Sequence, residues 1–247
     1  MKLSVYFTPL GVKPHDIQDR PVLVVDVLRT TTTIVAALSN GAKAVVPVVD
    51  HEDALRLAQN LERDAVLLCG ERNMQKIPGF ELGNSPLEMK PSVVKGKTLV
   101  MATTNGTPAI VAAESGKPVL IGAVTNFSAI VEEGRRIFEE AQELHILCSG
   151  RERMFALEDA YTAGRFAQAI VPPRLRRSAD VNDAAIAALE LVRRYGDQWK
   201  QAITSSAGAR GLKQAKFRND LVAAMELDTY SVVPQYADRL VTIPNRG

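Results

Sequence analysis

Short runs of apolar and often β-branched residues recur along the chain, separated by polar turns and by segments with helical periodicity. The runs that predict strands are Val22–Leu28, Ala44–Val49, Ala65–Leu68, Lys97–Ala102, Pro118–Ile121 and Leu144–Leu147. Residues 1–7 alternate like a further strand, and a last strand is expected near Arg239–Ile243. This alternation of strands and helices predicts an α/β fold with a mainly parallel sheet and helices on its faces.

Turn and cap residues place several helix ends. Asn40-Gly41 predicts the end of one helix, Asp50 followed by Asp53 the start of the next, and Gly116 the end of another. After Ile170 come a proline pair and a basic stretch at 174–177, for which a solvated loop is the favoured interpretation, and then helical sequence over 182–195. No flexible linker precedes this part, so we predict one domain over 1–247 with a helical C-terminal elaboration over 172–230.

Composition narrows the class of protein. Hydrophobic residues make up 46% of the 247, charged residues 23%, and the formal net charge is +2, so neither disorder nor a polyanionic partner such as nucleic acid is indicated. The apolar runs have strand length, far short of a bilayer span, and the N-terminal sequence lacks the apolar region of a secretion signal. We therefore expect a cytoplasmic protein without a membrane partner and leave a homo-oligomer open.

Polar residues stand at the carboxyl end of most predicted strands. The segments concerned are Asp26, Glu71-Arg72, Thr103 to Thr107, Thr125-Asn126 and Cys148 to Gly150. In an open parallel sheet such ends share one edge, where these folds place their ligands. Carboxylates suit a hard cation, while hydroxyls, backbone amides next to glycine, and arginines suit phosphate oxygens.

Two of these segments each allow a structural alternative. Asp26, followed by Arg29 and Thr30 to Thr33, places a carboxylate before a hydroxyl-rich helix start, which attracts anions. The alternative is a plain helix cap, but an Asp that closes so apolar a strand costs free energy unless it is paired or binds a metal. Glu71-Arg72 opens a polar loop that reaches Asn84-Ser85, which is either part of the site or an ordinary surface loop.

The segments further along the chain also allow a structural alternative to a role in the site. Thr104-Asn105-Gly106-Thr107 is typical of an anion-binding turn, with a simple capped strand-to-helix turn as the alternative. Cys148 is followed six residues later by Met154, where cysteine-based phosphatases need arginine, so a structural cysteine is favoured. For Glu158-Asp159 a site role is favoured over a charge pair at a helix start.

Taken in order, these segments resemble the 2-phosphosulfolactate phosphatase family of coenzyme M biosynthesis. The resemblance is carried by Asp26 to Thr30, Gly70 to Arg72, Gly79 to Pro86, Thr103 to Thr107, Cys148 to Gly150, and Leu157 to Asp159. It implies a three-layer α/β/α fold, dependence on Mg²⁺, and hydrolysis of 2-phospho-3-sulfolactate to sulfolactate and inorganic phosphate. From Pro172 onward the resemblance is looser, with Ser206 and Asp220 as late contributors.

The expected site combines metal, catalytic and substrate-binding residues. The expected metal ligands are Asp26, Glu71, Glu158 and Asp159, with waters completing the shell of a Mg²⁺ ion. The expected catalytic residues are Asp26, Arg29, Glu71 and Arg72, and the substrate-binding residues are Thr30, Asn84, Ser85, Thr104, Asn105, Gly106, Thr107, Asn126, Ser149, Gly150 and Arg151. Arg72 with Arg151 or Arg153 is expected to face a sulfonate or carboxylate of the substrate.

Two questions stay open at this point. Asp26 either attacks phosphorus itself or only binds the metal; Leu28 stands where a haloacid dehalogenase-type phosphatase has its second Asp, which favours attack by water. The other class of function is a non-catalytic protein that binds small anions. Several carboxylates in such a receptor would repel its ligand unless a cation offset them, so the acidic residues favour an enzyme.

Overall fold

The computed structural model of the protein describes residues 1–59, 62–174 and 180–244. Apolar runs with strong β-propensity form its strands, since alternate side chains can be buried on the two sides of a sheet. The strands in these described ranges are β1 (Lys2–Tyr6), β2 (Val22–Val25), β3 (Ala44–Val48), β4 (Val66–Arg72), β5 (Gln75–Lys76), β6 (Thr98–Ala102), β7 (Val119–Gly122), β8 (Glu143–Cys148), β9 (Gln235–Ala237) and β10 (Leu240–Thr242).

Helices follow most of the strands, as the alternating pattern predicts. They are α1 (Pro14–Ile17), α2 (Thr30–Ser39), α3 (His51–Ala58), α4 (Pro91–Val94), α5 (Gly106–Ala112), α6 (Phe127–Ala141), α7 (Leu157–Ile170), α8 (Asp183–Tyr195), α9 (Trp199–Thr204), α10 (Ala207–Gln214) and α11 (Arg218–Ala224). The predicted cap at Asp50 is present, because its side chain accepts the amide of Asp53 at 2.8 Å. None of these helices is long and apolar enough to cross a membrane.

The strands form one mixed sheet in the order β1-β8-β2-β7-β9-β10-β3-β6-β4-β5. Strands β1, β8, β2 and β7 pair in parallel, and so do β3, β6 and β4, which confirms the predicted mainly parallel α/β fold. The hairpin β9–β10 joins the two groups through three antiparallel pairings, so the groups run in opposite directions across the sheet. The assumption that all the strand ends share one edge of a single parallel sheet was therefore too simple.

The core lies on both faces of the sheet. Alternate residues of β2 illustrate this, since Val22 and Val24 pack into one cluster with Ile34 of α2, whereas Leu23 and Val25 face the opposite cluster, to which α6 and α7 contribute. A smaller third cluster lies where α3 packs on β4 and β6. The layers are thus helix, sheet and helix, as a parallel sheet buried on both faces requires.

Helices α8 to α11 occupy most of the segment predicted to be helical. Helix α8 packs against α7 and β1, and α9 against α7. Their buried side chains, including Val192, Trp199 and Leu212, belong to the same cluster as Leu23 and Val25 of β2. The last predicted strand is also present as β10. Most of the basic stretch, residues 175–177, lies outside the described residues.

Candidate active site

A polar cavity of about 250 Å³ lies where the segments that follow β2, β4, β6 and β8 meet the starts of α7 and α10. The residues that line it are Asp26, Leu28, Arg29, Thr30, Glu71, Asn73, Met74, Asn84, Thr104, Asn105, Gly150, Arg151, Glu152, Glu158, Asp159, Gly208 and Leu212. Eleven of these were predicted as site residues from the sequence. The structure therefore brings the strand-end groups together although the two halves of the sheet run in opposite directions.

The segment after β2 forms the floor of the cavity. The hydroxyl of Thr31 donates to the carbonyl of Asp26 at 2.8 Å, and that of Thr32 donates to the carbonyl of Val27 at 2.9 Å. The hydroxyl of Thr33 donates to the carbonyl of Asn84 at 3.1 Å. These threonines hold helix α2 against its own loop and against the loop at Asn84, so Thr30 alone of the four lines the cavity.

Arg29 lies just before α2 and is buried, with 3% of its surface exposed. Its Nη1 donates to Oδ2 of Asp220 at 2.6 Å, and its Nη2 donates to the carbonyl of Met74 at 3.0 Å. Its guanidinium also lies over the ring of Phe217, 4.3 Å from the centroid. A buried guanidinium needs such partners, since an unpaired charge in the interior is strongly destabilising.

Two of the five carboxylates that line the cavity hold loops through backbone amides. Glu71 accepts the amide of Met74 with one oxygen and the amide of Thr104 with the other, both at 2.8 Å. Asp159 accepts the amide of Val27 at 2.9 Å, and its second oxygen accepts the amide of Gly150 and the hydroxyl of Ser149. Glu71 therefore joins β4 to the turn after β6, and Asp159 joins β2 to the turn after β8.

Two further lining carboxylates, Asp26 and Glu158, do not join distant loops through backbone amides. Burial raises the pKa of Asp26 to about 6, hydrogen bonds from Thr30 oppose that rise, and the charges of Glu71 and Glu158 add to it. Burial likewise raises the pKa of Glu158, against hydrogen bonds from its own amide and from Ser206. Burial and the charges of Asp26 and Glu158 raise the pKa of Asp159 well above its ordinary value. The cavity thus concentrates negative charge that the nearby arginines do not fully offset.

The turn after β6 is largely closed on itself. The amide of Thr107 donates to the hydroxyl of Thr103 at 2.9 Å, and the amide of Thr103 donates to the hydroxyl of Thr107 at 3.0 Å. Gly106 is needed because a side chain at this position would collide with the carboxylate of Asp26 and the hydroxyl of Thr30. The predicted anion-binding turn therefore presents Thr104 and Asn105 to the cavity, while Thr107 stabilises the start of α5.

The loop before α4 contributes Asn84 and Ser85 in different ways. The Nδ2 of Asn84 donates to the hydroxyl of Thr30 at 3.3 Å, while its Oδ1 is buried and has no hydrogen-bond partner among the described residues. A buried amide oxygen without a donor is costly, so a ligand that donates to it or coordinates it is expected. Ser85 does not line the cavity, and its hydroxyl donates to Oδ1 of Asp220 at 2.8 Å.

The turn after β8 forms the rim. Gly150 has φ of +64°, and a side chain there would collide with the carbonyl of Met154. The Nη1 of Arg151 donates to the carbonyl of Ala207 at 2.9 Å, which ties the turn to α10. The amide of Glu152 donates to Oδ1 of Asn105 at 2.9 Å, so the turns after β6 and β8 hold each other in place.

Six predicted site residues do not line the cavity, namely Arg72, Ser85, Gly106, Thr107, Asn126 and Ser149. Arg72 points away from the cavity, where its guanidinium donates to the carbonyls of Glu71 and Val49. Asn126 is fully buried, with its Oδ1 accepting the amide of Ala123 and its Nδ2 donating to two carbonyls, those of Ile121 and Val232. The arrangement of Asn126 is that of a residue holding a turn, and neither side chain lines the cavity.

Several lining residues were missed by sequence reasoning. Asn73 and Met74 lie in the tight turn between β4 and β5, with φ of 52° and 65°. Gly208 and Leu212 come from α10, which begins directly after Ser206, one of the two late contributors that the resemblance implied. The sequence of α10 reads as an ordinary amphipathic helix, so no signal in it pointed to the cavity. Asn73, in contrast, directly follows Glu71-Arg72 and could have been included on that ground.

Comparison with known proteins identifies the family of this chain. A family model described as 2-phosphosulpholactate phosphatase matches residues 6–239. The chain belongs to this family.

Similar proteins of the 2-phosphosulfolactate phosphatase family span nearly the same length. The chain is 35% identical over 243 residues to a protein of Caldanaerobacter subterraneus subsp. tengcongensis, covering 98% of each chain. It is 38% identical over 218 residues to a protein of Thermotoga maritima, covering 88% of this chain and 89% of the relative. Both relatives are named probable 2-phosphosulfolactate phosphatase. The predicted class, a phosphoric monoester hydrolase, is thus confirmed at the level of the family.

Within this phosphatase fold, Cys148 lies in the core. Its side chain is fully buried beside residues such as Val25 and Phe166. Burial, together with the charges of Asp159, Glu158 and Asp26, raises the pKa of its thiol well above the ordinary value. A thiol that stays protonated is a poor nucleophile, which agrees with the structural role favoured from the sequence.

The side chains around the cavity differ in what they offer to a metal ion. Among the described residues, no group of three or more acidic, histidine or cysteine side chains is placed so that the group could hold a metal ion. Mg²⁺ needs no such group, because it usually binds one or two carboxylates and keeps several waters. Asp26 and Glu158 supply hard oxygen donors that repel each other, and Asn84 adds a buried amide oxygen without a partner. The donor set therefore fits Mg²⁺.

Proposed function

We propose that this protein is a Mg²⁺-dependent phosphatase that hydrolyses 2-phospho-3-sulfolactate, or a similar small phosphorylated hydroxy acid, to the alcohol and inorganic phosphate. The observation that carries the proposal is the single small cavity in which Asp26, Glu158 and Arg29 lie together. Family membership and the names of the relatives support the same reaction. The proposed setting is coenzyme M biosynthesis in the cytoplasm.

The size and charge of the cavity favour a small anionic ester. Its volume of about 250 Å³ lies below the range of roughly 300–1,000 Å³ that is usual for drug-sized ligands. Among the described residues that line it, Arg29 and Arg151 are the cationic ones, and they come from opposite segments, before α2 and after β8. Arg29 is proposed to face the phosphoryl group and Arg151 the sulfonate or carboxylate of the same substrate.

The metal would be held by Asp26 and Glu158, with the carbonyl oxygen of Asn84 nearby. When bound, Mg²⁺ supplies positive charge that offsets the phosphate oxygens and the surrounding carboxylates. Glu71 and Asp159 have their oxygens engaged by backbone amides, so they are assigned the task of keeping the loops in place. This assignment narrows the four ligands expected from the sequence to two direct ones.

The protein groups position the ester for attack by water. The oxygen of a water molecule forms a bond to phosphorus, the ester P–O bond breaks, and the leaving alcohol oxygen gains a proton. Arg29 and the hydroxyl of Thr30 orient the phosphoryl oxygens, while Asn105 and Arg151 hold the rest of the substrate at the rim. Direct attack by water is proposed rather than attack by Asp26, because Asp26 is assigned to the metal and Leu28 stands where a proton-donating second Asp would be needed.

A non-catalytic anion receptor is not favoured. Such a receptor gains from arginines and amides, but Asp26, Glu71, Glu158 and Asp159 would repel its ligand. Burial of Asp26 makes that repulsion stronger, since the carboxylate is screened less by water. When a cation binds to the carboxylates, it offsets their repulsion of an anionic ligand. The acidic lining therefore favours a metal-dependent enzyme.

The proposal is tested by measuring phosphate release from 2-phospho-3-sulfolactate, 2-phospholactate and a nucleoside monophosphate, each with Mg²⁺. The two small esters are expected to be hydrolysed with higher kcat/KM than the nucleotide, because their second anionic group can pair with Arg151, whereas a nucleoside carries no such group. Arg151→Ala should raise KM for both small esters, because it removes the cation proposed to face their second anionic group. Efficient hydrolysis of the nucleotide, or an unchanged KM of Arg151→Ala for both small esters, would contradict the proposed substrate class.

A further inference from the structure

The cavity is completed by a helix near the C-terminal end of the chain. Asp220 lies in the first turn of α11, 191 residues after Arg29, and its carboxylate is the ion-pair partner of the Arg29 guanidinium at 2.6 Å. Both side chains are almost fully buried, with 3% and 5% of their surfaces exposed. Asp220 does not line the cavity itself, and its link to the cavity is the ion pair with Arg29.

The contacts around Arg29 fix the plane of its guanidinium. Asp220 engages Nη1, the carbonyl of Met74 engages Nη2, and the ring of Phe217 lies against the face of the group. A guanidinium has five N–H donors in a rigid planar arrangement, so fixing two of them sets the direction of the others. The remaining donors are available to a ligand because Arg29 lines the cavity.

Asp220 is itself held in place. The hydroxyl of Ser85 donates to its second carboxylate oxygen at 2.8 Å, so each oxygen has its own partner. Ser85 belongs to the loop before α4, and Thr33 of α2 ties the same loop to the helix that begins next to Arg29. Ser85, Asp220 and Arg29 therefore form a chain of contacts from a loop through α11 to the cavity.

We propose that Asp220, supported by Ser85, is a positioning residue that orients Arg29 toward the phosphoryl group of the substrate. This inference rests on the proposed function. It assigns α11 to the working site, and it explains why Ser85 is polar although it does not reach the cavity. A group that is misplaced by about 1 Å can lower a rate by about a hundredfold, so the orientation of Arg29 has a measurable consequence.

The test is steady-state phosphate release by the full chain with Mg²⁺, for Asp220→Asn, Asp220→Glu, Arg29→Lys and the double variant Arg29→Lys/Asp220→Asn. Asp220→Asn is expected to lower kcat about 10- to 100-fold, and Asp220→Glu to recover part of that loss. In the Arg29→Lys background, Asp220→Asn should lower kcat by less than about threefold, because the group that it positions is already changed. Melting temperatures of all variants are measured alongside.

Asp197→Asn is the control for the loss of a partly exposed Arg–Asp pair outside the cavity. Asp197 pairs with Arg165 at 2.7 Å, and the Arg165 guanidinium also lies over an aromatic ring, but this pair is outside the cavity. The kcat of Asp197→Asn is expected to equal that of the wild type. If Asp220→Asn does not fold, Ser85→Ala decides the question, with an expected loss in kcat of about 3- to 10-fold.

The outcomes separate this inference from the function on which it rests. A wild-type chain that releases no phosphate from any small ester would overturn both. An active wild type with a folded Asp220→Asn variant of unchanged kcat would overturn the positioning role alone. Losses that multiply in the double variant would do the same, since they would show that Asp220 acts independently of Arg29.

Discussion

Replacing Asp26 with Asn separates a metal-binding carboxylate from a residue that merely caps a helix. Asp26 is 4% exposed, and burial raises its pKa from 3.8 to about 6. At pH 8 the carboxylate is ionised in both the folded and the unfolded chain, and the difference in pKa corresponds to about 3 kcal/mol of lost stability in metal-free protein. The loss is absent below about pH 4 and grows as the pH rises through 6, because a raised pKa favours the protonated folded state.

Asn keeps the shape of the side chain and removes its charge. It also gives up an acceptor for Thr30, which offsets about 1 kcal/mol of the gain. In chelator at pH 8, Asp26→Asn should therefore be about 2 kcal/mol more stable than the wild type, or roughly 4–8 °C higher in melting temperature. At pH 4 that advantage should disappear.

Addition of Mg²⁺ should stabilise the wild type much more than the variant. The wild type is expected to gain stability on binding the ion, whereas the variant gains little and loses phosphatase activity by at least about a thousandfold, roughly 4 kcal/mol. Asp50→Asn is the control, since Asp50 is an exposed cap of α3 and Asn caps a helix equally well. A variant that stays active, or that is no more stable than the wild type in chelator at pH 8, would refute this reasoning.

Three further predictions test other parts of the site. Cys148→Ser should keep substantial phosphatase activity, because the buried thiol is not the nucleophile; a thousandfold loss in kcat with an unchanged melting temperature would contradict this. Gly106→Ala should abolish activity by displacing Asp26, whereas Gly11→Ala, which meets nothing closer than 3.9 Å, should leave the rate unchanged. Glu71→Gln should lower stability by about 1–3 kcal/mol, since the amide cannot accept both backbone N–H groups, yet keep Mg²⁺ affinity in a calorimetric titration.

The strands and most of the cavity could be predicted because their signals are local. The run at Val22–Val25 is apolar throughout and is buried on both faces, and the carboxylate that follows it is where the sequence pattern placed it. The same holds for Glu71 at the end of β4 and for Thr104 after β6. A charged residue at the end of an apolar strand is a strong signal, because it costs free energy unless the site uses it.

The remaining features depend on contacts between distant segments. The pairing of Arg29 with Asp220 spans 191 residues, and nothing near either residue in the sequence indicates the other. The hairpin β9–β10 inserts into the middle of the sheet and reverses one half relative to the other. Arg72 is adjacent to Glu71, but successive side chains of a strand point to opposite sides, and its guanidinium turns to Val49.

The most direct test of the account is the initial rate of phosphate release from 2-phospho-3-sulfolactate by the wild-type protein, after exhaustive chelation and again after addition of Mg²⁺. The cavity of carboxylates and arginines predicts negligible release in chelator and full activity once Mg²⁺ is restored. Equal rates in chelator and in Mg²⁺ would contradict the metal-dependent phosphatase proposed for this cavity.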